Sequence, residues 1–233
     1  MSVQPPLWLN RQQAGLDLAK ACADWCGRDA DTLLLALPRG GVAVAASMAS
    51  LLQLPLATWS VRKIADPAWP ELAIGAVAAH GVVVWRNGDA ARRRAQAAQQ
   101  QGWLEGELQE LERRRRLFGD PEDDQLRHRH LIVVDDGIAT GMTVKAALIS
   151  LRSLAPASLS LAVPVVDRCV ASELESLVDR FEVLALVDNL RAVGLWYQHF
   201  EQLQDQEVME LLGRQAGGPE PLSSGPLAAD PKA

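Results

Sequence analysis

Residues 131–145 read LIVVDDGIATGMTVK, and this stretch decides the fold. Leu131, Ile132, Val133 and Val134 are apolar and mostly β-branched, the mark of a short buried strand. Asp135 and Asp136 stand where that strand should end. A loop of small residues follows, with Gly137, Ala139, Thr140, Gly141, Met142 and Thr143, and opens into the helical pattern Val144, Ala147, Leu148, Leu151. Strand ends in open α/β sheets face the ligand crevice. Bare backbone N–H groups at the positive end of a helix suit a phosphate, and Thr140 and Thr143 add hydroxyl donors. The two aspartates cannot serve that phosphate, because like charges repel. They suit hydroxyl groups or a hydrated cation beside it. A ligand with a phosphate at one end and a diol nearby is a sugar phosphate; the bland alternative is an acidic turn before a helix.

Upstream, Asn10 can cap a first helix whose apolar stripe is Ala14, Leu18, Cys22 and Trp25. TLLLAL (32–37) is a buried strand that runs into Pro38, Arg39, Gly40 and Gly41, and residues 42–52 are apolar almost all round. Strand, Gly-rich turn and helix present backbone N–H groups to an anion, and Arg39 adds a fork-shaped cation suited to phosphate oxygens. On its own the turn is only a turn signal. A second strand, 56–61, ends in Arg62 and Lys63, a cationic pair that suits a diphosphate or is simply a basic surface. IADPAWP (64–70) has two prolines and no periodicity and is expected to be a loop. Residues 71–78 and 82–85 flank Ala79-His80-Gly81 and read as a hairpin.

Residues 88–118 are polar, charged and free of proline. They predict a long surface helix, weakest at Gly102, packing through Trp103, Leu104, Leu108 and Leu111. Its arginine runs are 92–94 and 113–116; Glu105, Glu107, Glu110 and Glu112 lie close enough to offset the second through helical pairs, and the helix reads as a solvated face rather than a nucleic-acid site. EDDQLRHRH (122–130) is expected to be a linker with His128 and His130 exposed. Beyond the central motif, strands are predicted over 158–164 and 182–187, with a helix over 169–177. An aromatic cluster follows at Trp196, Tyr197 and Phe200, and a tail rich in Gly, Pro, Ser and Ala, expected to be disordered, closes the chain.

With 233 residues, one domain over 1–213 and a tail over 214–233 are expected. A net charge of −6 gives no global attraction to nucleic acid or anionic membrane, so any polyanion site must be local. The three cysteines form no secreted disulfide framework, and Cys22 and Cys26 read as small core residues rather than metal ligands. No run approaches the ~20 apolar residues of a spanning helix, and the start lacks a leader pattern, so a cytoplasmic protein is expected.

The stretch 131–145 resembles the phosphoribosyl-pyrophosphate (PRPP) motif of type I phosphoribosyltransferases. LPRGG, together with Arg62, Lys63 and the string PELAIGAV (70–77), resembles a bacterial subgroup of uncharacterised members. The resemblance implies an α/β fold, with a largely parallel sheet flanked by helices and a small hood from terminal segments. It implies that Asp135 and Asp136 contact the ribose hydroxyls and that Gly137, Ala139, Thr140, Gly141, Met142 and Thr143 cradle the 5′-phosphate. Arg39, Gly40, Gly41, Arg62 and Lys63 would serve the pyrophosphate, the segment 64–70 would be a mobile lid, and Glu71 would be a proton donor or acceptor, unless it is only a surface residue opening the hairpin. Mg²⁺ would arrive on PRPP, near Asp135 and Asp136. Trp196, Tyr197 or Phe200 could stack on the acceptor or pack in the core. The implied activity is a pentosyl transfer to a nitrogen acceptor, a nucleobase, in nucleotide and nucleoside metabolism, by a homo-oligomer such as a dimer. Ala139 stands where hypoxanthine/guanine-type members carry an Asp, which weakens the case for 6-oxopurines. Asn189 and Leu190 stand where the subgroup more often has Pro and Phe. The alternative is a non-catalytic sensor of PRPP or nucleotides on the same fold.

Overall fold

The computed structural model describes residues 5–66 and 69–216. The elements in chain order are α1 (Arg11–Ala21), β1 (Thr32–Ala36), α2 (Gly40–Leu52), β2 (Leu56–Thr58), β3 (Val61–Asp66), β4 (Trp69–Ala78) and β5 (Val83–Trp85). They continue as α3 (Asp89–Gln100), α4 (Trp103–Phe118), α5 (Asp123–Leu126), β6 (His130–Val134), α6 (Met142–Arg152), β7 (Ser158–Asp167), α7 (Arg168–Glu175), β8 (Arg180–Val187) and α8 (Asp205–Ala216).

Five strands form a parallel sheet in the order β2-β1-β6-β7-β8. Helices on both faces explain why β1 and β6 read as unbroken apolar runs rather than alternating ones. Leu34, Ala36, Ile132 and Val134 meet α1, α2 and α8 on one face. Leu33, Leu35, Leu131 and Val133 meet α6 on the other. Gly15 lets α1 ride close on α2, since a Cβ there would lie 2.3 Å from the Val44 carbonyl oxygen. Asn10 caps α1 by accepting from the Gln13 N–H. A second, antiparallel sheet, β3-β4-β5, is covered by α3 and α4 through Ile64, Ile74, Val77, Ala98 and Leu111. Trp103, Leu104 and Leu108 pack there as the sequence predicts.

Several expectations need correction. The strand expected over 56–61 is two strands in different sheets, so Arg62 and Lys63 lie within β3 rather than at a strand end. The expected loop over 64–70 is instead the meeting of β3 and β4, because Ile64 finds buried partners under α4; only Pro67 and Ala68 lie outside the described residues. Pro70 is tolerated near the beginning of β4. The long helix breaks at Gln101–Gly102, where Gly102 takes a left-handed turn at φ 76°. The expected linker carries α5 and the first residue of β6, and His130 is half-buried, its Nδ1 2.7 Å from the Ser158 hydroxyl. Cys22 is buried, but Cys26 is exposed. The expected tail begins too early, since α8 runs to Ala216; the remainder lies outside the described residues.

Asp120, just past α4, ties that helix to the segment where the chain crosses between sheets. Its carboxylate accepts from the Thr58 hydroxyl at 2.7 Å, the Ser60 N–H at 2.7 Å and the Ser60 hydroxyl at 3.1 Å. Burial nevertheless pushes its carboxyl up to about 6. Because the folded value exceeds the unfolded one, the native state holds this proton more tightly, and Asp120's contribution to stability falls as pH rises from about 4 to about 6. Asp120→Asn removes that slope. The variant's unfolding free energy should therefore rise relative to wild type by on the order of 2 kcal/mol between pH 4 and pH 7. Urea melts across that range check it, and parallel curves would refute it.

Candidate functional site

The carboxyl ends of β1 and β6 are neighbours, with Ala36 opposite Val134 and the Leu37 N–H donating to the Val134 carbonyl. This pairing brings two motifs far apart in sequence into one place. A Cβ on Gly40 would lie 1.9 Å from Asp136 Oδ2, and one on Gly41 would lie 2.6 Å from the Val134 carbonyl oxygen. Glycine at both positions is what allows the turn after β1 to sit on the acidic pair. The Pro38–Arg39 peptide between them and β1 is cis.

Asp135 and Asp136 are not equivalent. Asp136 Oδ2 accepts from Arg11 Nε at 2.7 Å, in a pair where both side chains are nearly buried. Arg11 also donates to the Glu201 carbonyl at 2.8 Å, and its guanidinium lies 3.7 Å from the centre of the Phe200 ring. Asp135 Oδ1 accepts the Asp136 N–H at 2.9 Å, and among the described residues Asp135 makes no ion pair. Burial raises both carboxyls above the ordinary range; for Asp135 the adjacent Asp136 charge adds to it, and for Asp136 the Arg11 charge opposes it. Arg11 was not among the site residues expected from sequence. A cation in the first turn of a helix opposes the helix dipole, and that is the signal that it needs a carboxylate elsewhere.

Terminal segments close over this site. Trp8 bridges to Tyr197 as neighbouring strands do, and the Leu7 and Trp8 N–H groups donate to the Trp196 carbonyl. Tyr197 is buried and donates its hydroxyl to the Asp136 carbonyl at 2.6 Å, so it is a packing and anchoring residue and is not free to stack on a base. Burial pushes its phenol well above the usual range, which keeps it a donor. Phe200 is taken up by Arg11 and Tyr197, and Trp196 and Phe200 are both half-buried against the same cluster. Tyr197→Phe is expected to lose about 1–2 kcal/mol by leaving the Asp136 carbonyl without its donor, read as a lower midpoint in a denaturant melt.

The loop after β6 turns into α6 at Gly141, whose φ of +70° favours glycine. Ala139, Thr140 and Met142 border a cleft of about 410 Å³ whose wall includes Trp85, Arg86 and Lys145. Lys145 pairs with Glu173 across it. Gly137 packs against the terminal segment, because a Cβ there would lie 2.6 Å from Val193 Cγ1.

The cationic residues divide. Arg39 lies 3.9 Å from Asp205, at the start of α8. Arg62 turns to α4 and pairs with Glu107 at 2.8 Å. Lys63, the next residue along β3, is exposed and opposite Ala76. Glu71 falls in β4, but its side chain lies outside the described residues. Among the described residues no cluster of three or more His, Cys, Asp or Glu could cage a metal ion. No helix among them is long and apolar enough to cross a membrane.

The sequence model of the phosphoribosyl transferase domain matches residues 9–189. A provisionally named phosphoribosyl transferase of Mycobacterium tuberculosis, known from two strains, is 37% identical over 209 residues, which is 89% of this chain and 47% of the relative. The chain thus spans about half the length of the curated relatives it matches. The crystal structure of TT1426 from Thermus thermophilus is 32% identical, with a TM-score of 0.69 over 90% of this chain and 99% of that one.

Proposed function

The chain belongs to the phosphoribosyl transferase family, and from that premise we propose that it transfers phosphoribose from PRPP to a nitrogen acceptor, a nucleobase, releasing pyrophosphate. One observation carries the reading: the glycines of the Arg39-Gly40-Gly41 turn pack directly against Asp135 and Asp136. The acidic pair read as suited to a diol and the turn read as suited to a diphosphate are therefore neighbours, and the loop read as suited to a phosphate follows the pair directly in the chain.

In this mechanism the loop 137–143 holds the 5′-phosphate with backbone N–H groups and the hydroxyls of Thr140 and Thr143. Asp135 and Asp136 receive the ribose hydroxyls, while Arg11 keeps Asp136 Oδ2 fixed. The acceptor nitrogen attacks the anomeric carbon as the bond to the diphosphate oxygen breaks; the electron pair leaves with pyrophosphate, and the acceptor gives up its proton. Glu71 is the candidate to take that proton. Arg39 and Lys63 stabilise the departing charge, with the amide of Gly40 beside them; the Gly41 N–H is already given to the Leu37 carbonyl. Most of the acceleration then comes from positioning and charge stabilisation. Mg²⁺ fits the donor set as a hard cation meeting one or two carboxylates, keeping waters and the substrate's own oxygens as ligands. Bound there, it would neutralise diphosphate charge, and Asp135 is the carboxylate available to it.

The test is pyrophosphate release from PRPP and Mg²⁺ across a panel of nucleobases and small amines. Release dependent on one acceptor is the expected result and names the substrate. PRPP binding without release for any acceptor favours the sensor reading, and failure to bind PRPP overturns the site assignment.

A further inference from the structure

The run Arg113–Arg116 is not one solvated face. Arg115 and Arg116 pair with Glu112, and Arg116 is open to solvent, whereas the Arg114 side chain is only 12% exposed. Glu110 serves both Arg113 and Arg114, at 2.7 and 2.9 Å. Arg113 reaches further, to Asp205 Oδ2 at 2.9 Å, and the other oxygen of the same carboxylate is 3.9 Å from Arg39. Arg62 joins from β3 through Glu107. Three guanidinium groups, from the turn after β1 and from α4, thus share the two carboxylates of Asp205 and Glu110, and the separate Arg62–Glu107 pair brings a fourth close enough to bear on Arg114. Burial lowers the Arg114 pKa, and the Arg62 and Arg39 charges add to that shift against the pull of Glu110. Converging like charges around a nearly buried cation are unfavourable in the chain alone, and a polyanion relieves them. Arginine forks suit phosphate oxygens.

The geometry points to a diphosphate subsite that α4 completes: Arg113 and Arg114 join Arg39 in holding the two phosphates at the anomeric end of the ligand, and the Asp205 carboxylate takes the place of one of them until the ligand arrives. The inference rests on the phosphoribosyl transfer reading. It makes α4 part of the substrate site, and it gives α8 a competing anion that must be displaced. A carboxylate bridging two guanidinium groups is a fair chemical substitute for a phosphate bridging the same two.

Calorimetric titration with inorganic pyrophosphate, PRPP and ribose 5-phosphate tests it. Arg113→Met, at a half-exposed position that leaves the core untouched, should weaken pyrophosphate and PRPP by roughly tenfold, the usual scale for one charge-assisted contact, and leave ribose 5-phosphate within about twofold. Arg114→Lys keeps the charge, guards against misfolding and should weaken the same two ligands by loss of the fork. Asp205→Asn should tighten pyrophosphate. If wild type binds PRPP and pyrophosphate but Arg113→Met and Arg114→Lys bind them equally well, the subsite is overturned while the transfer reading stands. If Asp205→Asn weakens pyrophosphate, Asp205 is a brace and the displacement is overturned. If wild type binds neither PRPP nor ribose 5-phosphate, the transfer reading fails, and the subsite with it.

Discussion

Asp136→Ala should destabilise the protein by about 3–5 kcal/mol, more than any conservative change elsewhere in the crevice. The reason is Arg11, which would keep its nearly buried guanidinium and lose the carboxylate 2.7 Å away. Leaving an uncompensated charge in a dry place costs more than the pair is worth when intact. Phe200 and the Glu201 carbonyl soften the loss without replacing the charge. Asp135→Asn should behave differently: it removes a repelling neighbour of Asp136, so the fold should hold while PRPP affinity drops. The converse change, Arg11→Met, leaves two adjacent buried carboxylates with no cation. Both carboxyls already sit above the ordinary range, so the folded state binds protons more tightly than the unfolded one, and stability falls as pH rises above the ordinary carboxylate range. Arg11→Met should steepen that fall and recover toward wild type near pH 4. Thermal melts of the three variants at pH 4, 6 and 8 check the pattern; equal losses for Asp135→Asn and Asp136→Ala would refute the asymmetry.

Gly40→Ala is expected to reduce PRPP binding about a hundredfold and to lose part of the stability that the buried Arg11–Asp136 pair supplies. Its Cβ would come within 1.9 Å of Asp136 Oδ2, so that carboxylate must swing away from the position where Arg11 holds it. Gly41→Ala meets backbone instead, 2.6 Å from the Val134 carbonyl oxygen and 3.0 Å from Asp135 Cα. Neither can move without parting β1 from β6, so this variant should lose stability as well as binding. Circular dichroism melts alongside PRPP titrations separate the two. A Gly40→Ala protein that binds PRPP normally would mean that the turn after β1 is not part of the ligand site.

The main sheet was legible because its central strands are buried on both faces and carry the signal in composition alone: TLLLA and LIVV need no partner to be recognised. The acidic pair and the two glycines were legible for a related reason, since strand-end chemistry is local in sequence. The antiparallel sheet was harder. Ile64 looks like a loop residue beside two prolines until α4 is placed over it, and nothing local says that β2 and β3 belong to different sheets. Arg11 and Asp205 were invisible because each acts across a long sequence separation, and Tyr197 stood out as an aromatic without any sign that its hydroxyl anchors the Asp136 carbonyl. Arg114 was misread with its neighbours because a run of four arginines shows no periodicity from which a buried side could be told apart.

The pairing of the two terminal segments also sets an order of events during synthesis. Arg11 finds Asp136 across 125 residues and the Glu201 carbonyl across 190, and the Asp136 carbonyl waits for Tyr197, 61 residues later. Contacts of such span form late, because loop closure must precede them. A nascent chain emerging from the ribosome can therefore assemble β1, β6 and their helices while the acidic pair still lacks its lid of terminal residues. The crevice is finished after the parallel sheet: a chain stopped at about residue 190 would carry all five strands and the Arg11–Asp136 pair, but the Asp136 carbonyl would still lack its donor from Tyr197.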